Sequence, residues 1–350
     1  MDLWIPPEHE RLILPLLRQN LARLTLQELS KIFPFDPATA ALRAARHGAA
    51  LDAARRFSKA LSSCGIRHFF LKGPILQELL YKDRATRPYS DLDVWVERTR
   101  LPDALNVARE CGWEPPPRMP IHHFHAVCRP VGAPLPLELH VRWVDQANFY
   151  RLPDDAGIER LVDGEAGLPR LSATDLLLYL CVHAQKHGFL NETALEMRLP
   201  DEWFLSPESG NRLVWWLDIA LLLEQDEEAI DWIRCREQIA AWNLARPVIV
   251  ALRLVERFLP ESRAGAASDA LRLELVPSGG SNRWLRKMAI RTPRWLQPTS
   301  SVWRPARLVD LPALFFPSKD ELARFLGKDE VSMADRLAHP WRMARRITGL

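Results

Sequence analysis

The stretch "DLDVWV", Asp91 to Val96, constrains this chain more than any other. Side chains alternate faces along a strand, so Asp91 and Asp93 project together while Leu92, Val94 and Val96 take the opposite face. A buried strand excludes carboxylates that lack partners. The second run "PLELHVRW" follows the same alternation. It predicts one face of Leu137, Leu139, Val141 and Trp143, and another of Glu138, His140 and Arg142. If the two strands are neighbours, Glu138 joins the aspartates, and three carboxylates repel one another unless a cation sits among them. Oxygen donors at this density suit magnesium or manganese, which keep waters and take further oxygens from substrate phosphates.

The segment before the aspartates fits the same purpose. "FFLKGPILQELL" predicts a strand that runs through Lys72-Gly73 into a helix beginning near Pro74. That arrangement places backbone N–H groups and a cation where a phosphate can rest, and Gly73 permits close backbone approach. Arg84 and Arg87 precede the carboxylates and are candidate phosphate clamps. His140, on the Glu138 face, is a candidate for orienting a carboxylate or touching substrate. In the rival reading, Asp91 and Asp93 cap a strand end and pair with Arg84 and Arg87 at the surface.

Around this centre the chain divides by texture. Residues 1–60 read as an N-terminal helical region, with Asp36-Pro37 as a helix start and Gly65 as the stop of the Ala-rich helix. Residues 61–150 read as an α/β core. "IRHFFL", "DLDVWV", "HHFHAVCRP" and "PLELHVRWV" are its strands, and "GPILQELLYKD" and "RLPDALNVARECGW" its helices. Residues 151–280 read as a helical domain whose first helix is capped by Ser172 or Thr174. Residues 281–350 form a basic helical tail, interrupted near Pro340.

Composition narrows the class. The 350 residues are 47% hydrophobic and 26% charged, as a folded globular protein is. No stretch reaches the roughly 18 apolar residues of a membrane span, and the opening "MDLWIPPEHE" is not a secretory signal. The five scattered cysteines lack a C-x-x-C pair, which predicts reduced thiols in a cytoplasmic protein. Net charge is +3, but residues 281–350 carry fourteen Lys/Arg against six Asp/Glu. That excess reads first as a solvated helical surface with snorkelling arginines, and alternatively as weak contact with a membrane or an anionic partner.

The segments "FLKGPILQELLYKDRATRPYSDLDVWV", "LELHVRW", "LSATDLLLYLCVHAQKHGF" and "WWLDIA" together resemble the bacterial nucleotidyltransferase-like proteins of the minimal DNA polymerase β superfamily. The resemblance runs roughly from Leu51 to Pro260. It implies an α+β fold: a small mixed sheet bearing the carboxylates, N-terminal helices and a large helical C-terminal region. It also implies Asp91 and Asp93 as paired metal ligands, Glu138 as the third carboxylate, and a two-metal transfer from a nucleoside triphosphate. The acceptor would be a small molecule, peptide or protein, with no stable nucleic-acid partner. Lys72-Gly73 stands where the superfamily has Gly-Ser, and the gap to Asp91 is longer than in the minimal enzymes. Two other classes stay open: a non-catalytic nucleotide-binding scaffold and a D-x-D glycosyltransferase. The latter needs a longer α/β region before its D-x-D than the run from Ile66 supplies.

Other motifs are weaker. His183 and His187 share a helix face, but Ala184, Gln185 and Lys186 between them exclude the zinc-protease pattern H-E-x-x-H. Hydrogen bonding to Asp218 is the preferred account of the pair. In "HHFH" only His123 and His125 share a strand face. The 13 tryptophans sit mostly at apolar helical positions and read as core.

Overall fold

A computed structural model describes residues 37–81, 87, 89–117, 125–144, 150–164, 166–188, 191–205, 209, 211–225, 229–260 and 262–272. Toward the end it describes 319, 322, 326 and 330–348. Residues 1–36, Arg84, His122, His123 and the Trp-containing run at 283–298, on which several expectations fall, lie outside the described residues.

The chain enters through helix α1 (Pro37–Ser63), then strand β1 (His68–Phe70) and helix α2 (Pro74–Leu80). Strand β2 (Leu92–Val96), helix α3 (Leu101–Glu110) and strands β3 (Trp113–Glu114), β4 (His125–Pro130) and β5 (Leu137–His140) follow. Strands β6 (Leu161–Asp163) and β7 (Pro169–Leu171) complete a seven-stranded mixed sheet of order β3-β4-β5-β2-β1-β7-β6. The helices after it are α4 (Ala173–His187), α5 (Asn191–Glu196), α6 (Asp201–Phe204), α7 (Leu213–Leu223), α8 (Trp232–Trp242), α9 (Ala245–Phe258) and α10 (Ala264–Leu271). The last is α11 (Met333–Thr348). This is the α+β class expected.

The sheet separates two cores, and strand alternation decides which residue joins which. Phe70, Leu92, Val94, Val96, Leu137 and Leu139 bury one face against α1 and α3, with Phe57, Leu61, Val107 and Trp113. Phe69, Leu71 and Trp95 take the other face, packing with the helical half through Tyr179, Trp216 and Phe258. Phe69 and Trp95 are register partners in the antiparallel β1–β2 pair, and their rings stack at 4.9 Å.

Local signals act as predicted at several ends. Gly65 adopts φ +64° beyond α1, and the Ile66 N–H donates to the Leu61 carbonyl as the chain reverses. Ser172 caps α4, accepting from the Asp175 N–H, while the Thr174 hydroxyl instead accepts from the Asp231 N–H. None of the five cysteines is in a disulfide.

Three features depart from expectation. Strands β3, β6 and β7 had no visible pattern, because two or three residues are too few for alternation to register. Strand β5 ends at His140. Trp143 therefore leaves the Leu137 face and packs edge-on to Tyr179 and Trp242 in the opposite core, while Arg142 pairs with Asp154. Helix α11 continues through Pro340 rather than breaking there.

Two buried histidines tie this fold to pH. The His68 Nδ1–H donates to the Ile66 carbonyl, so Nε2 accepts from the Ser58 hydroxyl, and burial lowers the imidazole pKa. Burial, followed by the nearby Lys72 and His187, lowers the pKa of His183 well below its usual value. A depressed folded-state pKa leaves stability intact above the unfolded value of about 6.5 and removes it as pH falls below that value, at up to about 1.4 kcal/mol per pH unit per histidine. Guanidinium unfolding should show this acid loss, and a His68→Gln/His183→Gln double variant should show a shallower slope below pH ~6.5.

Candidate active site

Strands β2 and β5 run parallel with Asp93 paired to Glu138 and Trp95 to His140. The neighbourhood that the sequence made conditional is therefore formed, and its closest members are adjacent by register. Asp93 is fully buried, whereas Glu138 is partly exposed at the edge of the group. The Leu71 N–H donates to the Asp93 carbonyl at 3.0 Å, which carries the β1–β2 pairing one residue further and delivers Lys72 beside the aspartate.

Asp93 Oδ1 receives two donors. The Lys72 ammonium lies 3.2 Å away, and His140 Nε2–H donates at 3.0 Å. The same His140 nitrogen is 3.4 Å from Glu138 Oε2. His140 bridges the two register-paired carboxylates. Asp93 Oδ2 is buried with no hydrogen-bond partner among the described residues. A buried carboxylate oxygen left in this state is costly.

The electrostatics follow from this packing. Burial pushes the Asp93 pKa up, but Lys72 and His140 outweigh it and hold the group below the usual carboxylate range. Glu138 is likewise lowered, burial being overcome by the hydrogen bond from His140. Burial lowers the Lys72 and His140 values, and the surrounding carboxylates reverse the sign, so both are raised. Asp91 goes the other way. Burial and then the charge of Asp93 push its carboxyl up to about 6, against the pull of Lys72. Asp91 therefore belongs to the same electrostatic group, but the close cluster is Asp93, Glu138 and His140, whose ligand atoms lie within 4.8 Å of one another.

Gly73 joins this cluster to the chain. Its φ of +69° and ψ of −124° start α2 in a conformation suited to glycine, and an added Cβ would lie 3.0 Å from the Asp91 carbonyl oxygen. The close neighbour of this turn is the backbone carrying the first aspartate.

Arg87 corrects the sequence reading. It does not serve as a free clamp: its guanidinium is buried in a two-pronged pair with Asp218 of α7, Nε to Oδ1 at 2.8 Å and Nη2 to Oδ2 at 2.7 Å. The Tyr81 hydroxyl also donates to Asp218 at 2.7 Å, and the Arg87 N–H donates to the Gln77 side chain at 2.7 Å. The bond expected between Asp218 and His183 or His187 is not made. The two imidazoles instead pack on each other and on Trp215, at 4.9–5.2 Å for His183 and 4.7 Å for His187 to the tryptophan ring. Tyr89 is held separately, its hydroxyl donating to His47 Nδ1 at 2.7 Å while His47 Nε2 donates to Glu78 at 2.7 Å. The segment leading to Asp91 is thus fixed at Arg87 and at Tyr89. Sequence reasoning singled out Arg87 and Asp218 separately, but nothing linked residues 131 apart.

Comparison with known proteins places the chain in a family. A family model described as "Uncharacterised nucleotidyltransferase" matches residues 8–260. No curated protein and no solved structure matches the chain.

Two substitutions test the supports. Asp218→Ala leaves Arg87 buried without its counter-charge and should cost about 3–5 kcal/mol in chemical unfolding, while Arg87→Met/Asp218→Leu should recover most of that loss. Gly73→Ala should lose about 1–3 kcal/mol of stability, from a strained φ and pressure on the Asp91 carbonyl.

Proposed function

The chain belongs to that family of uncharacterised nucleotidyltransferases, and from this premise we propose that it moves a nucleoside monophosphate from a nucleoside triphosphate to a hydroxyl or phosphate of a small molecule, peptide or protein. The supporting observation is the register pairing of Asp93 with Glu138, beside a buried Asp93 oxygen that has no donor among the described residues. Asp91, its carboxyl raised to about 6 by burial and then by the charge of Asp93, adds a third acid to the group. This donor set fits a hard divalent cation, magnesium or manganese, on Asp91, Asp93 and Glu138. Bound there, such an ion supplies charge that acidifies the acceptor hydroxyl and neutralises the leaving pyrophosphate.

The remaining roles fall to the chain's own groups. His140 donates to Asp93 and lies beside Glu138, which keeps both carboxylates aimed together. Lys72 is partly exposed and is the cation in reach of a substrate phosphate, on the turn that Gly73 makes possible. Arg87, committed to Asp218, acts as a strut for the Asp91 segment. Phosphate contact is therefore assigned to Lys72 and the Gly73 turn.

Equilibrium dialysis with α-labelled ATP should show binding that depends on magnesium and is lost to chelator. Asp93→Asn and Glu138→Gln should each weaken that binding by at least about tenfold, equivalent to about 1.4 kcal/mol. Binding indifferent to magnesium and to both substitutions would sink the assignment. Metal-dependent binding without pyrophosphate release over a panel of hydroxyl and phosphate acceptors would favour the non-catalytic scaffold.

A further inference from the structure

Helix α11 carries an apolar face that the described structure leaves uncovered. Met333, Leu337 and Trp341 follow one another at four-residue intervals, and they are 69%, 70% and 76% exposed. Residues at this spacing stack on one side of a helix, so the three form a continuous stripe. The helix is well started. The Ser332 hydroxyl accepts from the Asp335 N–H at 3.1 Å, and the Asp335 carboxylate accepts from the Ser332 N–H at 3.1 Å. Asp335 and His339 are buried, so the helix has an inner side distinct from the stripe.

Positive charge flanks the apolar arc. At 3.6 residues per turn, Arg336 falls about 60° to one side of Met333, and Arg345 about 40° beyond Trp341 on the other. Arg336 is exposed, while Arg342 falls about 20° from Asp335 around the helix and lies 3.9 Å from it on the inner side. Arg345 and Arg346 follow in the last turns of the same helix. A tryptophan, a leucine and a methionine between arginines is the composition of a helix lying in a lipid interface, with rings and alkyl groups below the headgroups and guanidinium groups among the phosphates. A second copy is a poor occupant, since self-pairing of this face would bring arginines against arginines. No described helix is long and apolar enough to cross a membrane, so the contact is a surface one.

We propose that the Met333–Leu337–Trp341 face of α11 docks the protein on an anionic bilayer surface. This inference is independent of the nucleotidyl-transfer chemistry. The test is co-sedimentation of the full chain with vesicles of phosphatidylcholine alone or mixed with phosphatidylserine, at low and high salt. The wild-type protein should sediment with the anionic vesicles at least about tenfold more strongly than with the neutral ones, and high salt should remove the difference. Leu337→Glu/Trp341→Glu, on exposed positions and checked by circular dichroism for unchanged helicity, should lose that binding by at least about tenfold. Arg336→Glu should weaken it on anionic vesicles alone.

Absence of sedimentation with either vesicle would overturn the proposal. So would anionic binding that the double substitution leaves unchanged. Size-exclusion chromatography with light scattering supplies the remaining outcome. A wild-type dimer that Leu337→Glu/Trp341→Glu converts to monomer would assign the face to a second copy and reject the bilayer.

Discussion

The buried charge of Asp93 is the interaction on which the site depends. A carboxylate with no solvent access demands donors, and two side chains supply them while the backbone ladder holds the residue in place. Lys72 arrives from the end of β1, His140 from β5, and the backbone ladder holds Asp93 itself through the Leu71 N–H. Each partner then constrains its own neighbours. Because β5 must bring His140 within 3.0 Å, Glu138 necessarily falls opposite Asp93 on the same face. The sheet order that looks arbitrary from sequence, with β5 rather than β3 or β4 beside β2, is the order that assembles this group.

Asp91 has no such support, and its surroundings explain why the chain before it is held so firmly. It precedes the first residue of β2, so the ladder does not fix it as it fixes Asp93. Burial and the charge of Asp93 raise its carboxyl to about 6. Its placement rests on neighbours: the Gly73 turn against its carbonyl, Tyr89 bonded to His47 of α1, and Arg87 bonded to Asp218 of α7. One anchor lies on each side of the sheet. A buried Arg–Asp pair contributes little net stability, since desolvation offsets most of the attraction, but it tolerates few alternative geometries. That property suits a strut for a residue that leads a charged group into the central strand of the sheet.

What was legible in the sequence followed from periodicity and from residues with a single dominant preference. "DLDVWV" and "LELH" alternate cleanly, so their faces and the adjacency of Asp93 to Glu138 were readable, as was Gly65 at a helix end. Trp143 was misplaced because alternation was extended past His140, where the backbone bends. Strands β6 and β7 were invisible at three residues each, though β7 pairs directly with β1. Arg87 was read from its position alone. Its position near the aspartates suggested a phosphate clamp, and sequence carries no signal for a partner on a distant helix. His183, His187 and Asp218 were correctly seen as helix-face residues, yet the nearest available acid was already claimed by Arg87 and Tyr81.

In the proposed chemistry, Lys72 has two roles. In the described arrangement its ammonium neutralises Asp93, and its pKa is raised because the surrounding acids outweigh burial. A lysine in this position cannot serve fully as counter-ion and as phosphate ligand at once. A divalent ion on the carboxylates would supply the positive charge that Lys72 now provides, which leaves the ammonium available to a triphosphate on the same turn. On the proposed reading, the Lys72-Gly73 pair has a physical sense. The glycine keeps the sharp turn, and the lysine keeps the acids together when no cation does.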